Sequence, residues 1–273
     1  MRFLLEHPAP RGLDDLVAGA EAARAAGLDG VLVREWKELP GALVSAAAVA
    51  ARVDEVLVAA EIAVGARHPV EIAEEAAVTD LGCGGRLVLV ARPALEAPER
   101  YVESLDVIRH ALAARPFRFE GAHWRVPANL PQNVDQPEEL VRVTPAPAQP
   151  RLEVWGSGPG MAAALERALG HLADQDDDPA ALARAWVAAE ASPASIGAPR
   201  ARREPWGGAD ALVRRLRDGR SAFGQDWACV VGPPEAAPEI GSLVRPRVQL
   251  HALTPGLEEF WDAERPWDRG GRR

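Results

Sequence analysis

Apolar residues in this chain occur in short continuous runs, separated by longer stretches in which they recur every three to four residues. RFLLE, GVLVREW and EVLVAAEIAVG each contain an apolar run of at least three consecutive residues, which is typical of strands that are buried on both faces. The stretches between them, such as ALVSAAAVAARV, have the period of helices that pack one face on a sheet. We expect Asp14 to cap the first of these helices and Gly27 to end it.

The alternation of strands and helices continues along the chain. HPVEIAEEAAVTDLG and PERYVESLDVIRHALAA have helical periods and flank a fourth strand, RLVLVA. FRFEGAHWRV predicts a small hairpin with Glu120 and Gly121 at its turn, and the proline-rich stretch 127–150 predicts a loop. Strands five to eight are expected at RLEVWG, HLADQ, ASIGAPR and WACVVG, followed by an irregular or short-helical C-terminal tail.

Eight strands that alternate with helices predict a closed (β/α)8 TIM barrel. Parallel strands require helical crossovers, and eight of them close without leaving an edge. We therefore interpret residues 1–273 as one barrel domain. ASIGAPR is the weakest of the strand patterns, and an open doubly wound sheet is the alternative if it is not a strand.

Charge and cysteine content narrow the functional classes. The formal net charge of −9 disfavours binding to nucleic acid, which requires clustered Lys and Arg, and favours a small-molecule substrate. There is no apolar run of membrane-spanning length, and the first residues do not resemble a signal peptide, so we expect a cytoplasmic protein. Cys83 and Cys229 are far apart and are expected to be core residues, not a disulfide or a zinc site.

A glycine-rich turn, WGSGPGM at 155–161, connects the fifth predicted strand to a helix. The first amides of a helix have no partner within it, and glycines allow an anion to approach the backbone, so such a turn can hold a phosphate. A plain tight turn is the simpler alternative. A dinucleotide-binding fingerprint with Asp174 or Asp176 as the ribose ligand is another, but Met161 stands where its third glycine is required.

Several segments resemble the bacterial-luciferase-like family of flavin and deazaflavin oxidoreductases. They are GLDGVLVREW, RHPVEIAEEAAVTDLGCGGRLVLV, the helix and hairpin starting at YVESLDV, and LEVWGSGPGMAAAL, and the resemblance extends roughly from Arg2 to Gln175. It implies a barrel that is usually dimeric, with reduced FMN or the deazaflavin coenzyme at the C-terminal mouth. A separate flavin reductase is a possible partner.

The resemblance also implies roles for individual residues. The cofactor phosphate would be held by Arg92 and by the turn formed by Trp155, Gly156, Ser157, Gly158, Pro159 and Gly160. His7 and Trp36, at the ends of strands one and two, would line the substrate pocket. Independently of the resemblance, the position of Glu61 near the end of strand three makes it a candidate proton carrier in the same pocket, with an exposed or ion-paired side chain as the alternative.

Two departures from the family leave the catalytic residues unassigned. Glu35, Trp36 and Lys37 stand where the family often carries histidine after strand two. The segment after strand four is also short, because Arg92–Pro93 is soon followed by Glu99 and the next helix.

Other polar groups are interpreted as structural. The acidic run 174–178 lacks the glycine bend of a cation-binding loop, so we expect no metal there and a solvated helix cap instead. His68 precedes a proline at a helix start and is expected to be structural. Arg200, Arg202 and Arg203 are expected to lie in a solvated loop, with contact to an anionic cofactor tail as the alternative.

The leading hypothesis is a flavin- or deazaflavin-dependent oxidoreductase, either a monooxygenase or a hydride-transfer reductase, acting on a small organic substrate. The alternative is a degenerate member of the same family that binds flavin without turnover or serves as a partner subunit. A barrel lyase or isomerase with a phosphorylated substrate would use the same glycine turn without affinity for flavin. A shared fold does not choose among these.

Overall fold

Eight parallel strands close into a barrel in this computed structural model, which describes residues 1–37, 39–113, 115–127, 140–190 and 198–253. Around the barrel the strands are β1 (Arg2–Glu6), β2 (Gly30–Arg34), β3 (Leu57–Val64), β4 (Leu87–Pro93), β7 (Glu153–Ser157), β8 (Gly170–Ala173), β9 (Arg200–Pro205) and β10 (Trp227–Val231). Strand β10 pairs with β1 and completes the ring. The predicted (β/α)8 TIM barrel is confirmed.

Helices follow the strands and cover the outside of the barrel. They are α1 (Leu13–Ala25), α2 (Ala42–Ala50), α3 (Pro69–Gly82), α4 (Tyr101–Leu112), α5 (Met161–Glu166), α6 (Pro179–Glu190) and α7 (Ala209–Phe223). The predicted hairpin is also present, as β5 (Phe119–Glu120) paired antiparallel with β6 (Arg125–Val126). No helix in the described part of the chain is long and apolar enough to cross a membrane.

The barrel interior is a packed apolar core. Because strand side chains alternate between the two faces, every second residue points inward. The cluster inside the barrel consists of Leu4, Leu32, Ala59, Val88, Val90, Trp155, Leu172, Ala201, Trp227 and Cys229. Trp155 and Trp227 meet edge to face with their ring centroids 4.9 Å apart, and they fill the lumen with aromatic rings.

Two local predictions were wrong. The first helix is preceded by Gly12, whose position offers no side-chain cap, and Asp14 lies in the first turn, where its charge still favours the helix dipole. The seventh barrel strand is Arg200–Pro205 and not ASIGAPR, of which residues 194–197 lie outside the described residues. This strand contains three arginines, of which Arg203 is paired with Glu6 on β1 and Glu61 on β3, so its sequence has no apolar pattern.

The other boundaries follow the predictions closely. Strand β7 extends as far as Ser157, so this serine is a strand residue and not part of the turn. Only residues 94–97 separate β4 from the short 3-10 turn at Pro98–Arg100, and this agrees with the predicted short loop. After β10 the chain forms α8 (Ala237–Glu239), a π-helical segment (Ile240–Val244) and α9 (Arg245–Leu253), and residues 254–273 lie outside the described residues.

Candidate functional site

A ring of mainly polar side chains lies above the apolar core, at the C-terminal end of the barrel. Each member lies two residues beyond an inward-facing core residue, so strand alternation directs each one into the mouth. In order around the barrel the members are the polar residues Glu6, Arg34, Glu61, Arg92, Ser157, Asp174 and Arg203, with the apolar Val231 at the eighth position. We call this set the mouth ring. Acidic and basic residues alternate over its first four positions, so each charge has an oppositely charged neighbour.

Arg203 is the central cation of the mouth ring. Its Nε donates to Glu6 at 2.9 Å and its Nη2 donates to Glu61 at 2.7 Å, while Nη1 donates to Asp174 at 2.8 Å. The side chain is only 7% exposed. Burial by itself lowers the pKa of this guanidinium, but the negative charges of Glu61 and Glu6 raise the pKa by more. The net shift is upward, so Arg203 is a permanent cation.

Arg92 and Asp174 form a second pair at the rim. Nη1 and Nη2 of Arg92 donate to the two carboxylate oxygens of Asp174 at 3.1 and 2.8 Å, in the two-pronged geometry that suits a planar guanidinium. Burial tends to raise the pKa of the Asp174 carboxyl, but hydrogen bonds and charge from Arg92 and Arg203 lower it below its ordinary value. Asp174 is therefore ionised at neutral pH.

The remaining ring members complete the network. Ser157 is fully buried and its hydroxyl donates to Glu61 at 2.7 Å. Nε of Arg34 lies 3.2 Å from the Glu6 carboxylate, and the same guanidinium stacks 4.3 Å above the ring of Trp36. Each buried carboxylate of the ring thus contacts at least one guanidinium, as the burial of charge requires.

A cavity of about 550 Å³ opens above the mouth ring. It is lined by Glu6, Arg34, Glu35, Glu61, Ile62, Ala63, Arg92, Asp174, Gln175, Asp176, Arg203 and Val231. Its five carboxylates outnumber its three guanidiniums, which leaves a formal net charge of −2. Desolvation raises the pKa of the Glu35 carboxyl, although the charge of Arg67 opposes that shift.

The glycine turn lies directly beside Arg92. Residues Gly158–Gly160 form a 3-10 turn that leads into α5, and Gly158 has a φ of +53°, a conformation that favours glycine. A Cβ added at Gly158 would be 2.7 Å from Nη1 of Arg92, and one at Gly160 would be 2.6 Å from the Tyr101 hydroxyl. The arginine therefore occupies space that any other residue at 158 would fill. A guanidinium fork beside a glycine-lined helix start is a donor set that suits a phosphate.

The structure brings some of the predicted site residues to the mouth but not others. Arg92 and Glu61 line the cavity. Trp155 lies inside the barrel core, and Gly156 packs against Ala164 and Tyr101 on the helix side of the strand. His7 accepts a hydrogen bond from the Ala9 amide and, like Trp36, is not among the residues that line the cavity.

Asp174, Arg203 and Glu6 were not predicted as site residues. Glu6 is the last residue of an otherwise apolar strand, and that pattern could have identified it as an inward-facing group at the mouth. Arg203 was assigned to a solvated loop, which is wrong because it is a buried strand residue. Strand alternation separates it from Arg202, whose Nη2 donates to the Gln175 and Asp177 carbonyls instead.

The structural interpretations hold for His68, Asp178 and the two cysteines, whereas Asp174, in the same acidic run as Asp178, is bound by Arg92 and Arg203 and is not part of a solvated cap. His68 accepts a hydrogen bond from the Val70 amide at 3.3 Å and caps α3, as expected for a structural histidine. Asp178 accepts hydrogen bonds from the Ala180 and Ala181 amides at the start of α6. Cys83 and Cys229 are buried free thiols in the core.

Solved structures with this architecture include enzymes that use FMN or a deazaflavin. The oxygenating constituent of 3,6-diketocamphane monooxygenase from Pseudomonas putida, in complex with FMN, shares 15% identity with a TM-score of 0.69, over 90% of this chain and 97% of that one. EDTA monooxygenase from a Chelativorans species shares 14% identity with a TM-score of 0.70, over 93% and 95% of the two chains. An F420-dependent secondary alcohol dehydrogenase, in complex with an F420–acetone adduct, shares 11% identity with a TM-score of 0.68, over 91% and 99%.

Sequence comparison identifies the family more directly than these distant structural similarities. A search of curated proteins found no significant match. The family model of luciferase-like monooxygenases matches residues 2–218, which is more than half of the chain. The chain therefore belongs to the luciferase-like monooxygenase family.

Proposed function

We propose that this protein is a flavin- or deazaflavin-dependent oxidoreductase that acts on a small organic substrate at the mouth of the barrel. The observation that carries the proposal is the position of Arg92 against Gly158, at the start of a helix and at the edge of the mouth cavity. Family membership and structural similarity to FMN- and F420-binding enzymes support the same cofactor class.

Arg92 and the backbone of the turn Gly158–Gly160 would hold the cofactor phosphate. The guanidinium provides two parallel donors, and the amides at the start of the helix provide further donors with a favourable dipole. Ser157 would contribute through its backbone, since its hydroxyl donates to Glu61. The bound cofactor would supply the redox chemistry, while the protein orients it and limits the access of water.

The substrate would bind in the mouth cavity above Glu61. With a formal net charge of −2, the cavity favours neutral or cationic substrates over anionic ones. His7 and Trp36 lie outside the residues that line this cavity, so Glu61 is the pocket residue that we retain.

A titration with FMN, reduced FMN, riboflavin and the deazaflavin coenzyme tests the proposal. We expect one phosphate-bearing cofactor to bind, and Arg92→Ala to weaken that binding by about tenfold or more, because a two-pronged charged contact is lost. Arg34→Ala is the matched control, since Arg34 lines the same cavity from β2 and is not in contact with the glycine turn. An equal effect of both variants would indicate general electrostatics and not a phosphate site.

A second measurement separates binding from turnover. Reduced cofactor consumed in a substrate-dependent manner would support the oxidoreductase, whereas tight binding without consumption across a panel of amines, ketones and alcohols would favour the non-catalytic alternative. Absence of binding to every flavin would contradict the proposal.

We also propose that the chain acts as a homodimer and receives reduced flavin from a separate reductase. One of the similar structures is described as the oxygenating constituent of its monooxygenase, and this description motivates the proposal of a separate reductase. Sedimentation analysis of the purified protein would test the dimer, and activity with and without an added flavin reductase would test the partner.

A further inference from the structure

The Asp174 carboxylate lies between the guanidiniums of Arg92 and Arg203. An anionic ligand bound at the mouth would require this same position. Its Oδ1 accepts from both Arg92 and Arg203, at 3.1 and 2.8 Å, and its Oδ2 accepts from Arg92 at 2.8 Å. Three charge-assisted hydrogen bonds therefore converge on one carboxylate. A phosphate bound by Arg92 would need the same donor atoms.

A carboxylate and a phosphate cannot both occupy this position. Two anions a few ångströms apart repel each other strongly in a partly buried site, where the effective dielectric constant is about 20 and not that of water. Both Nη atoms of Arg92 are directed at Asp174. A two-pronged contact of a phosphate with these two atoms therefore requires that Asp174 move away.

Within this network, Arg92 and Asp174 are the residues that can separate. Arg203 is held by Glu6 and Glu61 and its side chain is 7% exposed, so it is fixed in the barrel. The side chains of Arg92 and Asp174 are 36% and 30% exposed and lie at the edge of the cavity. Asp174 directly follows β8, and its amide donates to Asp177, so it begins a surface turn and not a packed element.

We infer that Asp174 is a built-in competitor of the cofactor phosphate, which occupies the Arg92 fork in the free protein and leaves it when a phosphate binds. This inference rests on the proposed function, because it concerns the same site. Asp174 thus sets how strongly the protein distinguishes phosphorylated from unphosphorylated flavin. It is a specificity-determining residue for the cofactor phosphate.

A comparison of FMN with riboflavin isolates the phosphate, since the two ligands share the ring system and differ in that group. In Asp174→Asn, which keeps the size of the side chain and removes its charge, we expect FMN to bind at least about tenfold more tightly than in the wild type. Riboflavin affinity should change by less than about twofold. For a deazaflavin-preferring protein, the intact coenzyme and its dephosphorylated form replace this pair.

Asp176→Asn is the matched control. Asp176 lines the same cavity and its side chain makes no hydrogen bond or ion pair with the residues that the structure describes. The control removes an equal charge without releasing an arginine, so FMN affinity should rise by less than about threefold. Equal gains in the two variants would overturn the inference, because they would show an effect of net charge alone.

The outcomes also separate the inference from the proposed function. If the wild type binds FMN and Asp174→Asn binds it no better, the inference fails and the function stands. If neither protein binds any flavin, both are rejected. Should Asp174→Asn not fold, a structure of the wild type with its cofactor decides the matter: the inference requires Asp174 to lie beyond salt-bridge distance of Arg92, and an intact pair overturns it.

Discussion

The guanidinium of Arg203 on β9 donates to the carboxylate of Glu61 on β3 at 2.7 Å, although 142 residues separate them in the chain. Both side chains are 7% exposed. A charge pair at this depth is compatible with folding only because Glu6, Asp174 and Ser157 satisfy the remaining polar atoms of the pair. The mouth ring is thus a structural unit as well as the floor of the candidate site.

Removal of the central cation should destabilise the barrel. We predict that Arg203→Met lowers the free energy of unfolding by about 3–5 kcal/mol, because the buried carboxylates of Glu6 and Glu61 then lose their nearest cation. Urea unfolding measures this loss. Arg125→Ala removes an arginine from an exposed pair with Glu120 and should cost less than about 1 kcal/mol. A similar cost for the two variants would show that the mouth ring contributes little to stability.

The glycine at 158 should be required for the position of Arg92. We predict that Gly158→Ala destabilises the protein and weakens FMN binding, because the new Cβ has both a strained φ and a clash with Nη1 of Arg92. Gly84→Ala is the control, since Gly84 has a φ of +61° but no atom within 4 Å of an added Cβ. Unfolding and cofactor titration of both variants separate the clash from backbone strain.

If Gly158→Ala and Gly84→Ala lose equal stability and neither changes FMN affinity, the contact between Gly158 and Arg92 has no functional role. The phosphate would then have to bind elsewhere in the mouth.

His171 should make stability depend on pH. Its side chain is 1% exposed, both ring nitrogens lack a hydrogen-bond partner within the described ranges, and burial lowers its pKa from 6.5 to about 4. At a pH between these two pKa values, His171 is protonated in the unfolded chain but not in the folded protein. Stability therefore falls as the pH decreases from about 6.5 to about 4, by about 3 kcal/mol in total from this group.

The test of this pH dependence is the difference between the wild type and His171→Leu, followed by urea unfolding across that pH range. We expect the variant to lose stability less steeply, and to fold well at pH 7 because no hydrogen bond of the ring is lost. His123→Ala removes an exposed histidine and serves as the control. Parallel stability curves for the wild type and His171→Leu would refute the prediction.

Arg86 should stabilise the opposite end of the barrel through its geometry and not only its charge. Its nitrogens donate to the carbonyls of Cys83, Val53, Val56 and Ala50 at 2.8–3.2 Å. We predict that Arg86→Lys costs about 2 kcal/mol, because one ammonium cannot reach all of these carbonyls. Arg67→Lys, in an exposed pair with Glu75, should cost less than about 1 kcal/mol in the same unfolding experiment, and equal losses would contradict the geometric argument.

The periodicity of apolar residues predicted most of the fold. Strands buried on both faces have continuous apolar runs, and this pattern identified β1 to β4 and β10 directly. It failed at β9, because the inward-facing Arg203 of that strand is neutralised by Glu6 and Glu61, which lie far away in the chain. A local pattern contains no information about such partners.

The candidate site was predicted only in part. Motif resemblance indicated Arg92 and the turn at Gly158, and the structure places them side by side. The motif could not reveal that Asp174 already binds Arg92, since these residues are 82 positions apart and come together only through closure of the barrel. It also could not show that the Ser157 hydroxyl is directed towards Glu61 and away from the turn.

The sequence by itself determined the alternation of strands and helices, the glycine turn and membership of the family, because each depends on residues that are neighbours in the chain. Only the tertiary structure decided how the charges at the mouth are paired. One inward-facing position on or just after each of eight strands contributes to that ring, and strand alternation and barrel closure fix which side chains meet. The balance between Asp174 and an external anion at Arg92 is therefore a property of the folded barrel.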